Sequence, residues 1–191
     1  MSARMALTLL TTALLLLGQS AAVYPAREPG GTNESTAGNF RHEQALPAAL
    51  AGSGADLVRM VEANLAGARV YDLSFNGDGA APSFDVRSYR DDQVWNTVVD
   101  AATRQIVRSA MMMPASDLHA EDKRSIDEFR RSRMALSEAI AIAEKYGPGK
   151  AISAGLHHVD GKLVFVVVIV ANGGLKEIVI RPDAQKRKDA L

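Results

Sequence analysis

The chain has 191 residues with 22 basic and 22 acidic side chains, and it contains no cysteine. This balanced charge provides no field that would attract nucleic acid or an anionic membrane surface. The lack of cysteine excludes disulfide bonds, thiolate catalysis and thiolate-ligated metal sites. The fold must therefore be held by core packing, for which a hydrophobic content of 47% is sufficient.

The first residues have the composition of a signal peptide. Arg4 supplies the positive charge, residues 6–17 are uncharged and rich in leucine, and small residues precede a cleavage site after Ala22. A helix that spans a bilayer needs about 20 apolar residues, and this run has twelve. We therefore predict a cleaved signal peptide over 1–22, export to the periplasm or the cell exterior, and no stable membrane span after cleavage. The alternative is an uncleaved anchor.

A first periodic unit is predicted over 47–115. The preceding residues, 23–46, are rich in Pro, Gly, Ser, Thr and Asn and are predicted to form a flexible linker. Apolar residues then recur at helical spacing from Leu57 to Leu65, with Ser53 placed to cap the helix. The period next changes to two, which predicts antiparallel strands around Leu73 and Phe84 and over 94–99, and a fourth from Ile106.

The second half repeats this plan over 135–185. It follows a charged connecting helix, predicted over 116–134 with Ile126 and Phe129 as its large apolar residues, and it precedes a tail over 186–191. A constant offset of 81 residues aligns the two halves without a gap and brings Leu73 onto Ala154.

We therefore predict an α+β fold of two repeated units, each a helix packed on a small antiparallel sheet, joined by a charged helix. In each unit the helix is expected to cover the strand face that carries alternate apolar residues: Tyr71, Leu73 and Phe75 in the first, and Ile152, Ala154 and Leu156 in the second.

Short segments of both units resemble the PepSY domain family. In the second unit they are LSEAIAIA at 136–143, GKLVFVV at 161–167 and LKEIVI at 175–180; in the first they are FDVR at 84–87 and VVDAATRQIV at 98–107. Two positions depart from the family pattern, since Arg104 replaces its usual glycine and 181–183 keep only part of its ending. The resemblance implies a helix on an antiparallel sheet in an exported or membrane-associated bacterial protein. It also implies roles in peptidase inhibition or envelope regulation, without catalytic residues.

The sequence offers few residues for catalysis or metal binding. His157 and His158 are adjacent in a strand and point to opposite faces, so they are expected to be surface residues and not joint ligands. Alternation puts Met111 and Met113 on one side, but no third soft ligand is evident, so these side chains are interpreted as core or interface residues.

Catalytic carboxylates and motifs are also not evident. The aspartates of the first unit fall at turns or on the polar side of strands and are interpreted as solvated charges: Asp72, Asp85, Asp91, Asp92 and Asp100. No serine-hydrolase, zinc-protease or phosphate-loop motif is present. We therefore expect no enzyme activity, no cofactor and no metal.

The candidate interface is the strand from Leu163 to Val170, which is apolar on both faces. An antiparallel sheet normally leaves one face to water, so both faces of this strand are expected to be covered. The second face, carrying Val164, Val166 and Val168, must meet the connecting helix, the first unit, another copy or a foreign protein. We predict a non-catalytic envelope binding or regulatory module that modulates a peptidase or another envelope protein. A periplasmic carrier of a small molecule or metal is the alternative.

Overall fold

The computed structural model describes residues 51–78, 81–171 and 174–182. The predicted signal peptide, linker and tail lie outside these residues. Within them the chain forms three α-helices and one antiparallel sheet of seven strands. Their bounds are α1 (Gly54–Asn64), β1 (Arg69–Asn76), β2 (Ser83–Arg90), β3 (Gln93–Asp100), β4 (Ile106–Pro114), α2 (Ala120–Arg131), α3 (Leu136–Tyr146), β5 (Lys150–Val159), β6 (Lys162–Ala171) and β7 (Gly174–Ile180).

The strand order is β4-β3-β2-β1-β5-β6-β7, and every neighbouring pair is antiparallel. This confirms the α+β class, but the two small sheets that we predicted are joined into one. The joint is the pairing of β1 with β5, in which Leu73 lies opposite Ala154. An open strand edge carries unpaired backbone donors and acceptors, and this pairing satisfies those at the centre of both strands.

Local sequence signals determine where the helices begin. The Ser53 hydroxyl accepts a hydrogen bond from the Ala55 amide at 3.1 Å, as expected for the cap of α1. The connecting helix α2 begins at Ala120 and not at the predicted Ser116, because Ala115–Asp117 forms a separate turn of 3-10 helix. At the start of α3, the Glu138 carboxylate accepts from the Ala135 amide at 2.9 Å.

Helices α1 and α3 lie on one side of the sheet, which we call the inner face; the opposite side is the outer face. Both helices contact β1 and β5 and each other. One continuous core results, which contains these fully buried residues: Val58 and Val61 of α1, Ile140 and Ala143 of α3, Leu73, Phe84 and Val86 of the first strands, and Phe165, Val167 and Ile169 of β6.

Each half begins its sheet with an irregularity that the sequence did not predict. The register shifts between Val70 and Asp72 in β1 and between Ala151 and Ser153 in β5. Strict alternation is interrupted there, as at a β-bulge. Val70 and Ala151 are consequently fully buried, while Tyr71, which we expected beneath the helix, is only partly buried.

Glu144 of α3 is a polar link between the helices and the sheet. Its Oε1 accepts from the amides of Gly54 and Ala151, each at 3.0 Å, and its Oε2 accepts from the Ser53 hydroxyl at 2.5 Å. Hydrogen bonds to a carboxylate are stronger than those between neutral groups. One side chain therefore fixes the start of α1 and the start of β5 relative to α3.

The connecting helix α2 is attached through its last turn. Phe129 is fully buried, and its ring meets the Phe165 ring edge-on at 5.8 Å between centroids. The Arg69 guanidinium lies over the Phe129 ring at 4.2 Å and donates to the carbonyl oxygens of Phe129 and Arg130 at 3.0 and 3.2 Å. Ile126 is buried as well, which confirms the predicted narrow apolar stripe on a charged helix.

Phe129→Ala is expected to destabilise the chain by about 3–5 kcal/mol, because it leaves a cavity against Phe165 and removes the surface beneath Arg69. Tyr146→Ala is the matched control, since Tyr146 is 68% exposed; its effect is expected to stay within about 0.5 kcal/mol. Urea unfolding followed by circular dichroism measures both. Equal stability of the two variants would show that α2 is not docked through Phe129.

Candidate functional site

The outer face of the sheet changes character from one side to the other. Strand register places its side chains in cross-strand rows. One row runs through Ala110, Asn96, Arg87, Asp72, Gly155, Val166 and Val179, and the next through Arg108, Val98, Asp85, Ser74, Ser153, Val168 and Glu177. The face is therefore polar and charged over β1 and β2, whereas over β6 and β7 it is apolar except for Glu177.

The apolar half forms a contiguous surface that we call the outer patch: Val166, Val168, Val170, Leu175 and Val179. The β6–β7 register pairs Val170 with Leu175 and Val166 with Val179. Leu175 is 69% exposed and Val179 is 45% exposed, while the three valines of β6 are partly buried. An apolar surface of this kind, bordered by polar groups, is typical of a protein interaction site.

The three residues of the predicted interface do share the outer face, but they differ in accessibility. Val164 is 1% exposed, so it has no free surface for a partner, whereas Val166 and Val168 retain some. Leu175 and Val179 were not among the residues predicted for the interface. Their period-two alternation was visible, but only the register shows that they extend the same surface.

The polar half contains a carboxylate that is less solvated than the sequence suggested. Asp72 is partly buried, and burial raises its pKa above the usual value, while the Arg87 guanidinium and a hydrogen bond from Ser74 oppose the rise. The Ser74 hydroxyl lies 3.4 Å from Asp72 Oδ2. Gly155 is directly opposite, and a Cβ there would stand 3.3 Å from Asp72 Oδ1. Burial likewise raises the pKa of Tyr71 to about 12.

Ser125, His158 and Glu128 form a hydrogen-bonded group between α2 and β5. His158 Nε2 lies 3.0 Å from Glu128 Oε2, and His158 Nδ1 lies 3.5 Å from the Ser125 hydroxyl. That hydroxyl donates to the Glu121 carbonyl at 2.9 Å, so it presents a lone pair to the histidine. The arrangement therefore links α2 to β5 through the His158 side chain, and hydrogen bonds from Arg124 and His158 lower the pKa of Glu128.

The other candidate ligands are not brought together. Within residues 51–78, 81–171 and 174–182, no group of three or more His, Asp or Glu side chains is arranged to hold a metal ion. The prediction that Met111 and Met113 share one side is wrong, because a bulge at Met112 shifts the register. Met111 pairs with Trp95 and Met113 with Val94, which are neighbours in β3 and point to opposite faces.

Comparisons with known proteins leave the family of the chain open. No family model matches the sequence, and no curated protein matches it. A crystal structure of a candidate lipoprotein from Clostridium difficile 630 is similar at 18% identity, over 66% of this chain and 84% of that chain, with a TM-score of 0.37. A likeness at this level carries no argument about fold or function.

In the part of the chain that the structure describes, no helix has both the length and the apolar character needed to cross a membrane.

Asp72→Asn is expected to stabilise the chain at neutral pH. Because the pKa of Asp72 is raised above 3.8 in the folded state, the folded chain binds this proton more tightly than the unfolded chain does. The contribution of this group to stability then falls as pH rises through the unfolded and folded pKa values. The variant should therefore exceed the wild type in Tm at pH 7, and the difference should shrink as pH falls toward 3.8.

Thermal unfolding by circular dichroism over a pH series measures this difference. Asp91→Asn is the matched control, because it removes the same charge from an exposed turn. A difference between Asp72→Asn and wild type that does not change with pH would contradict the argument.

Proposed function

We propose that the chain is a non-catalytic, exported binding module built from two PepSY-like units, and that it captures a partner protein on the outer patch. The observation that carries the proposal is the exposure of Leu175 and Val179 beside the half-buried valines of β6. A water-facing antiparallel sheet surface is usually polar, as it is over β1 and β2. That pattern is lost over β6 and β7, where Val166, Val168 and Val179 lie side by side on the outer face.

The structure supports the tandem repeat at the level of single residues. The bulge of β1 between Val70 and Asp72 recurs in β5 between Ala151 and Ser153, which is the same offset of 81 residues. The amides of Val70 and Ala151 also each donate to a glutamate of the preceding helix, at 2.9 and 3.0 Å, although Glu62 and Glu144 do not fall at matching positions. Bulges at matching positions are an independent argument for repetition, beyond hydrophobic pattern.

The joint between the halves has the symmetry expected of two like units. Adding 81 to the number of Asp72 gives Ser153, and subtracting 81 from the number of Gly155 gives Ser74, so the pair Asp72–Gly155 corresponds to the pair Ser153–Ser74. By the same offset, the pair Leu73–Ala154 corresponds to itself. This is the arrangement of an isologous contact between two copies, here within one chain.

The charge within the outer patch indicates the chemistry of the partner. Glu177 lies opposite Val168 on the outer face and is exposed. A buried interface tolerates such a carboxylate only when an opposite charge meets it. The partner is therefore an exported protein that presents an apolar surface with one basic side chain. The signal peptide read from the sequence puts the encounter outside the cytoplasm, and the PepSY resemblance makes an envelope peptidase the first partner to test.

Leu175→Asp and Glu177→Lys are expected to abolish capture of the partner while changing stability by no more than about 0.5 kcal/mol, since both positions are exposed. Tyr146→Asp, on a helix away from the outer patch, is the matched control and should capture normally. Crosslinking and pull-down from an envelope fraction, followed by reconstitution with the purified partner, measures the effect. Capture that survives both patch variants, with folding intact, would refute the outer patch as the binding site.

Val166→Asp is expected to reduce both capture and stability, because Val166 is partly buried and the new carboxylate would face Val179. Asp85→Val, at a polar position of the same face, should leave capture unchanged. It removes the acceptor of one hydrogen bond from Asn96, at 3.0 Å, so a loss of about 1 kcal/mol in stability is expected.

Native mass spectrometry of the protein purified from its source tests the carrier alternative, which a stoichiometric small ligand or ion would establish.

A further inference from the structure

Among residues 51–78, 81–171 and 174–182, strand β4 lies at an open edge of the sheet with little to protect it. Of its nine residues, all but Ile106 and Met113 are exposed, and Val107 is 67% exposed. Its single charged side chain is Arg108. In natural sheets, several charges, a proline inside the strand or a very short strand usually prevent an edge strand from pairing with another chain. Here the proline stands at the last position, Pro114.

The other outermost strand, β7, differs from β4 in its length and in its charged residues. It is shorter, with seven residues, and carries Lys176 and Glu177 side by side in its middle. Two copies paired antiparallel through β7 about an axis at Lys176 or Glu177, near the centre of the strand, would place that charge opposite itself. Like charges directly opposite each other in a sheet are destabilising. Because of this difference in charged residues, β4 is the edge that is available for pairing with a second copy.

The number of strands restricts how a second copy can join. The seven strands alternate in direction, so β4 and β7 run the same way. A copy that adds β7 to β4 with its helices on the same side would therefore pair in parallel. Antiparallel pairing with both helix layers on one side requires an edge strand to meet its own copy about a two-fold axis normal to the sheet, and for the edge with fewer charges this is β4 with β4. Such an isologous contact closes at two copies and does not propagate.

We propose that the chain forms a two-fold dimer in which the β4 strands of two copies pair antiparallel with Ala110 on the axis. Between the bulges at Val107 and Met112, the register is regular over Arg108–Met111. With Ala110 at the centre, each Arg108 faces Met112 of the other copy, and the two arginines stand about 13 Å apart along the strands at about 3.3 Å per residue. That separation exceeds the Debye length of about 8 Å at physiological salt.

The dimer joins two seven-stranded sheets into one of fourteen strands. Because the axis is normal to the sheet, the two outer patches lie on the same side, at opposite ends of the combined sheet. The patches remain free, so dimerisation and partner capture use separate surfaces. A dimer would thereby bind a multivalent partner more tightly than a single patch does.

Sedimentation equilibrium of the exported full-length chain over a dilution series tests the proposal. The wild type is expected to have twice the mass of one chain. Val107→Lys and Met112→Lys place a charge on the β4 edge and should each halve that mass with an unchanged circular dichroism spectrum. Leu175→Lys, on the β7 edge, is the matched control and should leave the dimer intact.

Ala110→Cys provides a second test, because the chain has no other cysteine. Opposed residues of an antiparallel pair have Cα atoms about 4.5–5.5 Å apart, within the range that a disulfide bridges. Mild oxidation should therefore link two copies through Ala110→Cys and not through Leu175→Cys. A monomeric wild type, a dimer broken by Leu175→Lys but not by Val107→Lys, or a dimer that Ala110→Cys fails to crosslink would each overturn the proposal.

Discussion

The pairing of β1 with β5 is the contact on which the rest of the architecture depends. It consists of three registered residue pairs, and the middle one places Leu73 against Ala154 on the inner face, both almost fully buried. Because the strands are hydrogen-bonded there, the apolar surfaces of the two halves meet without a gap. Helices α1 and α3 can then pack on each other and on strands from both halves. A single core of this size excludes more apolar surface from water than two small ones would.

This pairing also determines which surfaces remain open. By using the β1 and β5 edges internally, the chain leaves β4 and β7 as the outermost strands of the described sheet. The two edges differ in charge and length, and the outer face between them differs in polarity. The two halves of the sheet therefore have different surfaces, because their inner faces both pack apolar residues and their outer faces differ in polarity. Phe84 and Phe165 both lie in the core, while Asp85 and Val166 stand on the outer face.

The polar links within the fold have a common role, which is to form hydrogen bonds with backbone groups at the ends of helices and strands. Glu144 satisfies the first amides of α1 and β5, and Arg69 satisfies carbonyl oxygens at the end of α2. Backbone N–H and C=O groups that lack a partner at the ends of helices and strands are costly to bury. Each of these charged side chains forms hydrogen bonds with several such groups. Asp72 is different, since its carboxylate lies half-buried on the outer face and burial disfavours its charge.

The amino-acid sequence by itself determined the elements and their order. Helical spacing around Val58 and Ile140, period-two alternation around Phe84 and the Ser53 cap are local signals, and each appears in the structure where local chemistry requires it. Only the tertiary structure decided the register between strands, and with it the two bulges, the single sheet and the extension of the outer patch to Leu175. Register depends on contacts between residues about eighty positions apart, such as Leu73 and Ala154. No local periodicity contains that information, because shifting one strand by two residues keeps every side chain on its face while changing every neighbour.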